Sequence, residues 1–396
     1  MRKSKIHWTG ALLLLCPLLA SAQEFLPPPE RVRAAIDAYA EVRAAGASLT
    51  QAREEARALS AGPHETQLSV APLHRRINDD GVIKNYEEVE VQLSRALRLP
   101  GKSALDEETS AHVVAAADFR QGDARHEAAR VLLTEWMSWL RAEAAVSAAQ
   151  ACFDSLARER ASLVRRLALG DAAQRELDQI DAALASARAS QQQAQADAQA
   201  QRLRLSNDFP EVSVPETAPA LPDPAPLPGA PQDWTARIVG ESHEIGVLQE
   251  TAAQHETMAR RAEADRMPDP TVGLRTFSEH SGKELGLGVM FSVPLSGTRR
   301  DAEARGQFAA AESARYQADA ARRNVTRDAQ LAVMRAQLAL SLWHTARDAR
   351  AAHAASLARQ RRAFELGEIS LAERLQAERL DTDAALTELR ARADAH

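Results

Sequence analysis

Three histidine–glutamate pairs are the first residues whose types and spacing could do chemistry: His64-Glu65, His243-Glu244 and His255-Glu256. On a helix, such a pair with a second histidine one turn later binds zinc through two imidazoles and leaves the glutamate as a general base. The positions that would supply the second imidazole hold Leu68, Val247 and Ala259, so all three pairs are incomplete. His344 and His353 are nine positions apart, a spacing that does not bring them to one face of a helix. There is no phosphate-cradling glycine loop and no serine nucleophile elbow. The chain thus offers no catalytic set, no cofactor site and no metal-ligand set, and any function must come from how its elements are arranged.

Composition says what those elements are. Of 396 residues, 45% are hydrophobic but only 4% aromatic, with alanine dominating the apolar class. Small side chains fill a thick globular core poorly but let helices pack closely side by side. Charged residues at 26%, arginine and glutamate interleaved with alanine, point to long helices or coiled coils. Residues 1–22 read as a signal peptide: Arg2, Lys3 and Lys5, an apolar run from Ala11 to Leu19, and a small-residue cleavage site at Ala20-Ser21-Ala22. Its removal would take the net charge from −6 to −9, which argues against a nucleic-acid partner. Leu15 before Cys16 does not favour a lipidation site, and Cys152 alone cannot form an intrachain disulfide. Past residue 22 no stretch approaches the roughly 20 apolar residues of a membrane-spanning helix. If this protein crosses a membrane, it must do so with strands.

The order of elements repeats. A first repeat is expected over 23–208, a proline-rich linker over 209–233 and a second repeat over 234–396, with six further prolines between Pro210 and Pro231. The first copy opens with a helical pattern from about Glu30 to Leu59, interrupted at Gly46. A strand with Thr66, Leu68 and Val70 follows, then a polar loop holding Arg75, Arg76, Asp79, Asp80 and Gly81. A second strand puts Val89, Val91, Leu93, Leu97 and Leu99 on one face, and a long helix starts near Ser103. The second copy has a helix from about Trp234 to Met267, a strand with Val272 and Leu274, and a turn at Glu279-His280-Ser281-Gly282. Its return strand places Leu285, Leu287, Val289, Phe291 and Val293 opposite Gly286, Gly288, Met290 and Ser292. Gly101 to Gly170 is 69 positions, Gly297 to Gly367 is 70, and each second glycine follows a leucine and precedes an acid. Along the last long helix Val325, Ala329, Ala332, Ala336, Leu340 and Trp343 recur at heptad spacing.

A lone hairpin is marginal in water, so the apolar face of Leu285 to Val293 must meet something apolar. Nine- to eleven-residue strands, apolar on one face and small or polar on the other, suit a tilted transmembrane barrel. Four strands cannot close, so other chains would have to complete it. Periodicity equally allows each hairpin to cap a soluble helical bundle, and Arg95 on the apolar face fits a barrel only near the headgroups.

Pro268-Asp269-Pro270-Thr271-Val272-Gly273-Leu274, Phe291-Ser292-Val293-Pro294-Leu295, the helix opening at Arg299-Arg300 and the tip Leu366-Gly367-Glu368-Ile369-Ser370-Leu371 resemble the TolC-like outer-membrane factor family, nearest its heavy-metal and cation-efflux branch. The resemblance covers 235–395 most fully; over 30–205 it rests on element order. It implies a mainly α fold with a small β part: duplicated long helical hairpins forming an α-barrel, and four strands per protomer in a trimeric 12-stranded β-barrel. It implies a homotrimer set in outer-membrane lipid and extending into the periplasm, meeting a periplasmic adaptor and an inner-membrane efflux pump. The tips at Gly170 and Gly367, with Leu366 and Ser370, would touch the adaptor. Six positions past each tip glycine stand Glu176 and Glu373, which the resemblance makes candidates for an acidic gate; the plainer reading is two solvated helix residues. Where the family often has a second acid three positions later, this chain has Gln376.

Two functions follow: an outer-membrane channel subunit for exported solutes, heavy-metal cations among them, or a periplasmic coiled-coil adaptor or scaffold without a barrel. The duplicated strand pair, offset by 196 positions between Gly101 and Gly297, favours the channel.

Overall fold

The computed structural model of the chain describes residues 25–295 and 297–396; the expected signal peptide lies outside them. Two short helices, α1 (Pro29–Ala38) and α2 (Ala40–Ala61), lead to a hairpin of β1 (Thr66–Asp79) and β2 (Val82–Ala96). A 67-residue helix α3 (Lys102–Ala168) and its return helix α4 (Gln174–Asp208) follow. The same order then recurs: α5 (Pro231–Gly240), α6 (His243–Ala264), β3 (Thr271–Glu279), β4 (Glu284–Ser292), the 68-residue α7 (Thr298–Glu365) and α8 (Leu371–Ala395). Among the described residues no helix is long and apolar enough to cross a membrane.

The chain divides into two compact units, and α3 and α7 contribute to both. One unit (40–128 and 229–333) holds the sheet. Its strands run antiparallel in the order β1-β2-β3-β4, so the two hairpins, one from each half, join through β2 and β3, leaving β1 and β4 as open edges. Beside the sheet α2 packs on α3 through Leu49, Ala52 and Ala117, and α6 meets α3 through a buried bond from Thr109 Oγ1 to Thr257 Oγ1 at 3.0 Å. The other unit (1–39, 129–228 and 334–396) has a core of Trp136, Trp139, Leu140, Leu205 and Phe209.

Several local readings are corrected. The first helical pattern breaks at Tyr39, whose backbone is extended and whose ring stacks on Phe209 at 5.0 Å; α2 runs on through Gly46. The second breaks between Gly240 and His243, where Ser242 Oγ caps α6 by accepting from the Ile245 amide. The polar stretch 75–79 is strand, not loop. Within it Arg75 pairs with Glu88 and Asp79 with Lys84, both on β2, and His74 beside it lies 2.6 Å from Glu87. The reversal is confined to Asp80-Gly81, both at positive φ, as the tightest hairpin turns require. β2 ends at Ala96 and β4 at Ser292, so Leu97, Leu99 and Val293 lie beyond the strands. On α7 the buried line runs Val325, Ala329, Val333 and Trp343, with Val333 in the place expected of Ala332. Residues 209–230 form no helix or strand, and α5 starts at Pro231 within the expected linker; the segment is nonetheless packed. Val212 and Leu221 are buried in the core, and Arg202 holds the Pro215 carbonyl at 2.6 Å.

Candidate functional site

The register assigns every strand residue to one of two faces. One carries Leu68, Val70 and Pro72 of β1, Val89, Val91 and Leu93 of β2, Val272 and Leu274 of β3, and Leu285, Leu287, Val289 and Phe291 of β4. Leu285, Leu287 and Val289 are each at least 80% exposed, so they have no cover among the described residues. β3 and β4 have nine residues each, the length a tilted strand needs to cross hydrocarbon. Arg95 falls in the last row before the helices, level with Thr66 and Val272, and its Nε donates to the His64 carbonyl at 3.1 Å. At the opposite end the face turns polar at His74 and Glu87.

The other face is polar and partly ion-paired: Arg75 with Glu88 at 2.8 Å and Arg275 with Glu90 at 3.0 Å, beside Gln92 and Ser94. Gly286 is there because Phe277 lies across it; a Cβ at Gly286 would sit 2.0 Å from the ring. An exposed apolar face backed by a polar one is the inverse of a sheet that folds against a water-soluble core.

Where the sheet meets the helices, the Pro-Asp-Pro turn joins the two halves. Asp269 accepts from the Leu99 amide at 3.0 Å, from Lys102 Nζ at 2.9 Å and from His64 Nε2 at 2.8 Å. Lys102, 2% exposed, also reaches Asp265 and the Met267 carbonyl. Arg98 and Arg261 pair with buried Asp106 beside them. Burial raises the Asp269 pKa, but these donors outweigh it and bring it down to about 2. Sequence reasoning missed His64 and Lys102 here, because partners 163 or more positions away leave no local signal.

The helical tips repeat in atomic detail. Gly170 and Gly367 end α3 and α7 at positive φ. Asp171 N–H donates to the Arg166 carbonyl and Glu368 N–H to the Ala363 carbonyl, each reaching five residues back, which is the Schellman ending. Three residues past each glycine the return helix is capped, at Ala173 and at Ser370. Glu176 Oε2 accepts from the Ala173 amide at 2.9 Å, and Glu373 Oε2 from the Ser370 amide at 2.7 Å. Ser370 Oγ completes a reciprocal capping box with Glu373; Ala173 has no side-chain oxygen to do so. The Ser370 amide and hydroxyl hold the exposed Glu373 carboxyl below its ordinary pKa. Both candidate gate residues thus stand at the same place in their helices and serve first as N-terminal caps. Leu366, Gly367 and Ser370 are exposed around them, as is Gly170. Behind the tips Leu156, Leu163, Ile180, Phe364 and Leu371 form one cluster drawn from α3, α4, α7 and α8. Buried Arg374 pairs there with Glu159 at 3.2 Å.

No protein-family model matches the chain, and no curated protein matches it in sequence. Solved structures do. The CmeC outer membrane channel of Campylobacter jejuni superposes with a TM-score of 0.73 at 15% identity, over 100% of this chain and 91% of that one. The outer membrane protein VceC of Vibrio cholerae gives 0.75 at 16%, over 92% of each chain. The fold is that of the outer-membrane channels. The open state of the Neisseria gonorrhoeae MtrE outer membrane channel adds a third instance, with a TM-score of 0.69 at 15% identity over 92% of this chain and 87% of that one. At such identities the likeness is one of fold: long helical hairpins with a small four-stranded sheet.

Proposed function

We propose that the chain is an outer-membrane channel subunit, a passive exit duct for solutes leaving the cell rather than an enzyme. One observation carries this: a four-stranded sheet whose whole apolar face is uncovered and whose two edges are open. In hydrocarbon an open edge leaves backbone groups without partners, so the sheet needs β1 of one copy beside β4 of the next. The fold likeness to CmeC, VceC and MtrE supports a trimer of twelve strands. Repeats over 23–208 and 234–396, joined by 209–233, then supply one strand hairpin and one helical hairpin each. Leu285, Leu287, Val289 and Phe291 face lipid, with Val293 just past the strand end. The tips at Gly170 and Gly367, with Leu366 and Ser370, are the surface for a periplasmic adaptor and through it an inner-membrane pump. Glu176 and Glu373 line the entrance, where a carboxylate ring would favour cations. Heavy-metal cations as cargo rest on the sequence resemblance around 268–295 and 366–371 alone.

The test is fractionation followed by sedimentation. The full chain should be extracted by detergent from outer membranes and sediment as a trimer. A soluble periplasmic monomer would end the channel reading.

A further inference from the structure

The turn joining β3 to β4 carries a feature unrelated to solute passage. Glu279 and Glu284 are direct cross-strand partners at the end of the ladder, and like charges placed opposite one another destabilise a hairpin. His280 stands between them, and one ligand atom from each of Glu279, His280 and Glu284 falls within 4.8 Å of the other two. Arg75 is the arginine beside this group, and it is shared. It lies 2.8 Å from Glu88 and 3.7 Å from Glu279. The His280 Nδ1 is shielded from solvent and lies 3.0 Å from Glu284 Oε1, an ion-pair distance, without a well-directed hydrogen bond. Together with Glu279 these residues place three ligand atoms within 4.8 Å of one another, a loose ligand set.

The turn is also held in place from outside. The His280 amide donates to buried Glu88 Oε1 at 3.3 Å, Ser281 Oγ accepts from the Glu87 amide at 3.3 Å, and the imidazole meets the Tyr86 ring edge-on at 4.6 Å. His280 and Ser281 both sit at positive φ, 48° and 59°. The first hairpin thus fixes the orientation of a histidine in the second, the kind of outer support that metal ligands need.

We propose that Glu279, His280 and Glu284 bind one divalent transition-metal ion of the zinc, cobalt and nickel class. One imidazole and two carboxylates suit that class, and the absence of a thiolate from the set disfavours soft monovalent copper. Ligands about 2.1 Å from a tetrahedral ion lie about 3.4 Å from each other. From 4.8 Å the three atoms need to close by up to about 1.4 Å, within reach of side-chain rotation for two glutamates that are not buried. Water would fill the remaining positions. In the sequence the signal is a Glu-His pair with a glutamate four positions after the histidine, but only the hairpin closure makes it a group of three.

Zinc and cobalt titrations of the detergent-extracted full chain test this, by calorimetry and by the visible absorption of bound cobalt. His280→Asn keeps a residue that tolerates the left-handed backbone, and Glu284→Gln removes the other flanking charge; Glu90→Gln is the control on the same sheet. The wild type and Glu90→Gln should bind one more equivalent of zinc per chain than either site variant, and zinc should raise the melting temperature of the first pair only. Equal stoichiometry in all four proteins would overturn the site. Displacement of zinc by equimolar calcium would overturn the assignment of the imidazole as a ligand.

Discussion

Asp269 shows how one carboxylate can hold two halves of a chain together. Its three donors come from the first half, while its own Pro-Asp-Pro turn opens β3 of the second. Burial by itself would favour the protonated acid; the charged and amide donors reverse that and set the pKa at about 2. Because the folded value lies below the ordinary 3.8, the stabilisation is complete above pH 4 and is lost as pH falls toward 2. Asp269→Asn should therefore cost about 2 kcal/mol at neutral pH, and melting curves of variant and wild type should converge by pH 2. An unchanged gap across that range would mean that the charge of Asp269 is not what binds Lys102 and His64.

At the scale of elements, one residue of the tips has an observed role as a cap and a proposed one at the entrance. Glu373 is bound through Oε2 to the cap of α8, which fixes the position of its carboxylate. If that carboxylate also lines the entrance, Glu373→Lys should shift permeability in planar bilayers away from cations, while Glu373→Gln should shift it less. Unchanged selectivity in both would leave Glu373 as a cap alone. Elements of this kind were legible in the sequence wherever the signal was local and periodic. The alternation at 285–292, the glycines at 170 and 367 and the long alanine-rich helices lie where the pattern put them. What escaped was decided by distant partners. Charges at 75–80 suggested a loop because their cross-strand mates were out of view, although Asp80-Gly81 was a hairpin signal in plain sight. Val333 replaced Ala332 in the buried line because helix packing, and not the heptad count, chose the face.

For the molecule as a whole, the proposed channel meets the apolar sheet face with hydrocarbon outside and the open edges with further copies beside. A charge placed on that face is the direct probe. Leu287→Arg should cost about 2–4 kcal/mol in the bilayer and deplete trimer from the outer membrane, whereas Gln92→Arg on the polar face should assemble normally. Normal assembly of Leu287→Arg would put water, not lipid, against Leu287. The pairing of β2 with β3 has a further consequence, for the order in which the protein is made. Each hairpin closes locally, but the ladder between them joins residues at least 175 positions apart. Until β3 (Thr271–Glu279) has emerged, the inner edge of the first hairpin waits unmatched, with Val89, Val91 and Leu93 beside it. Non-local pairing of this sort is slow and prone to aggregation, so the growing chain is exposed at that seam until β3 arrives.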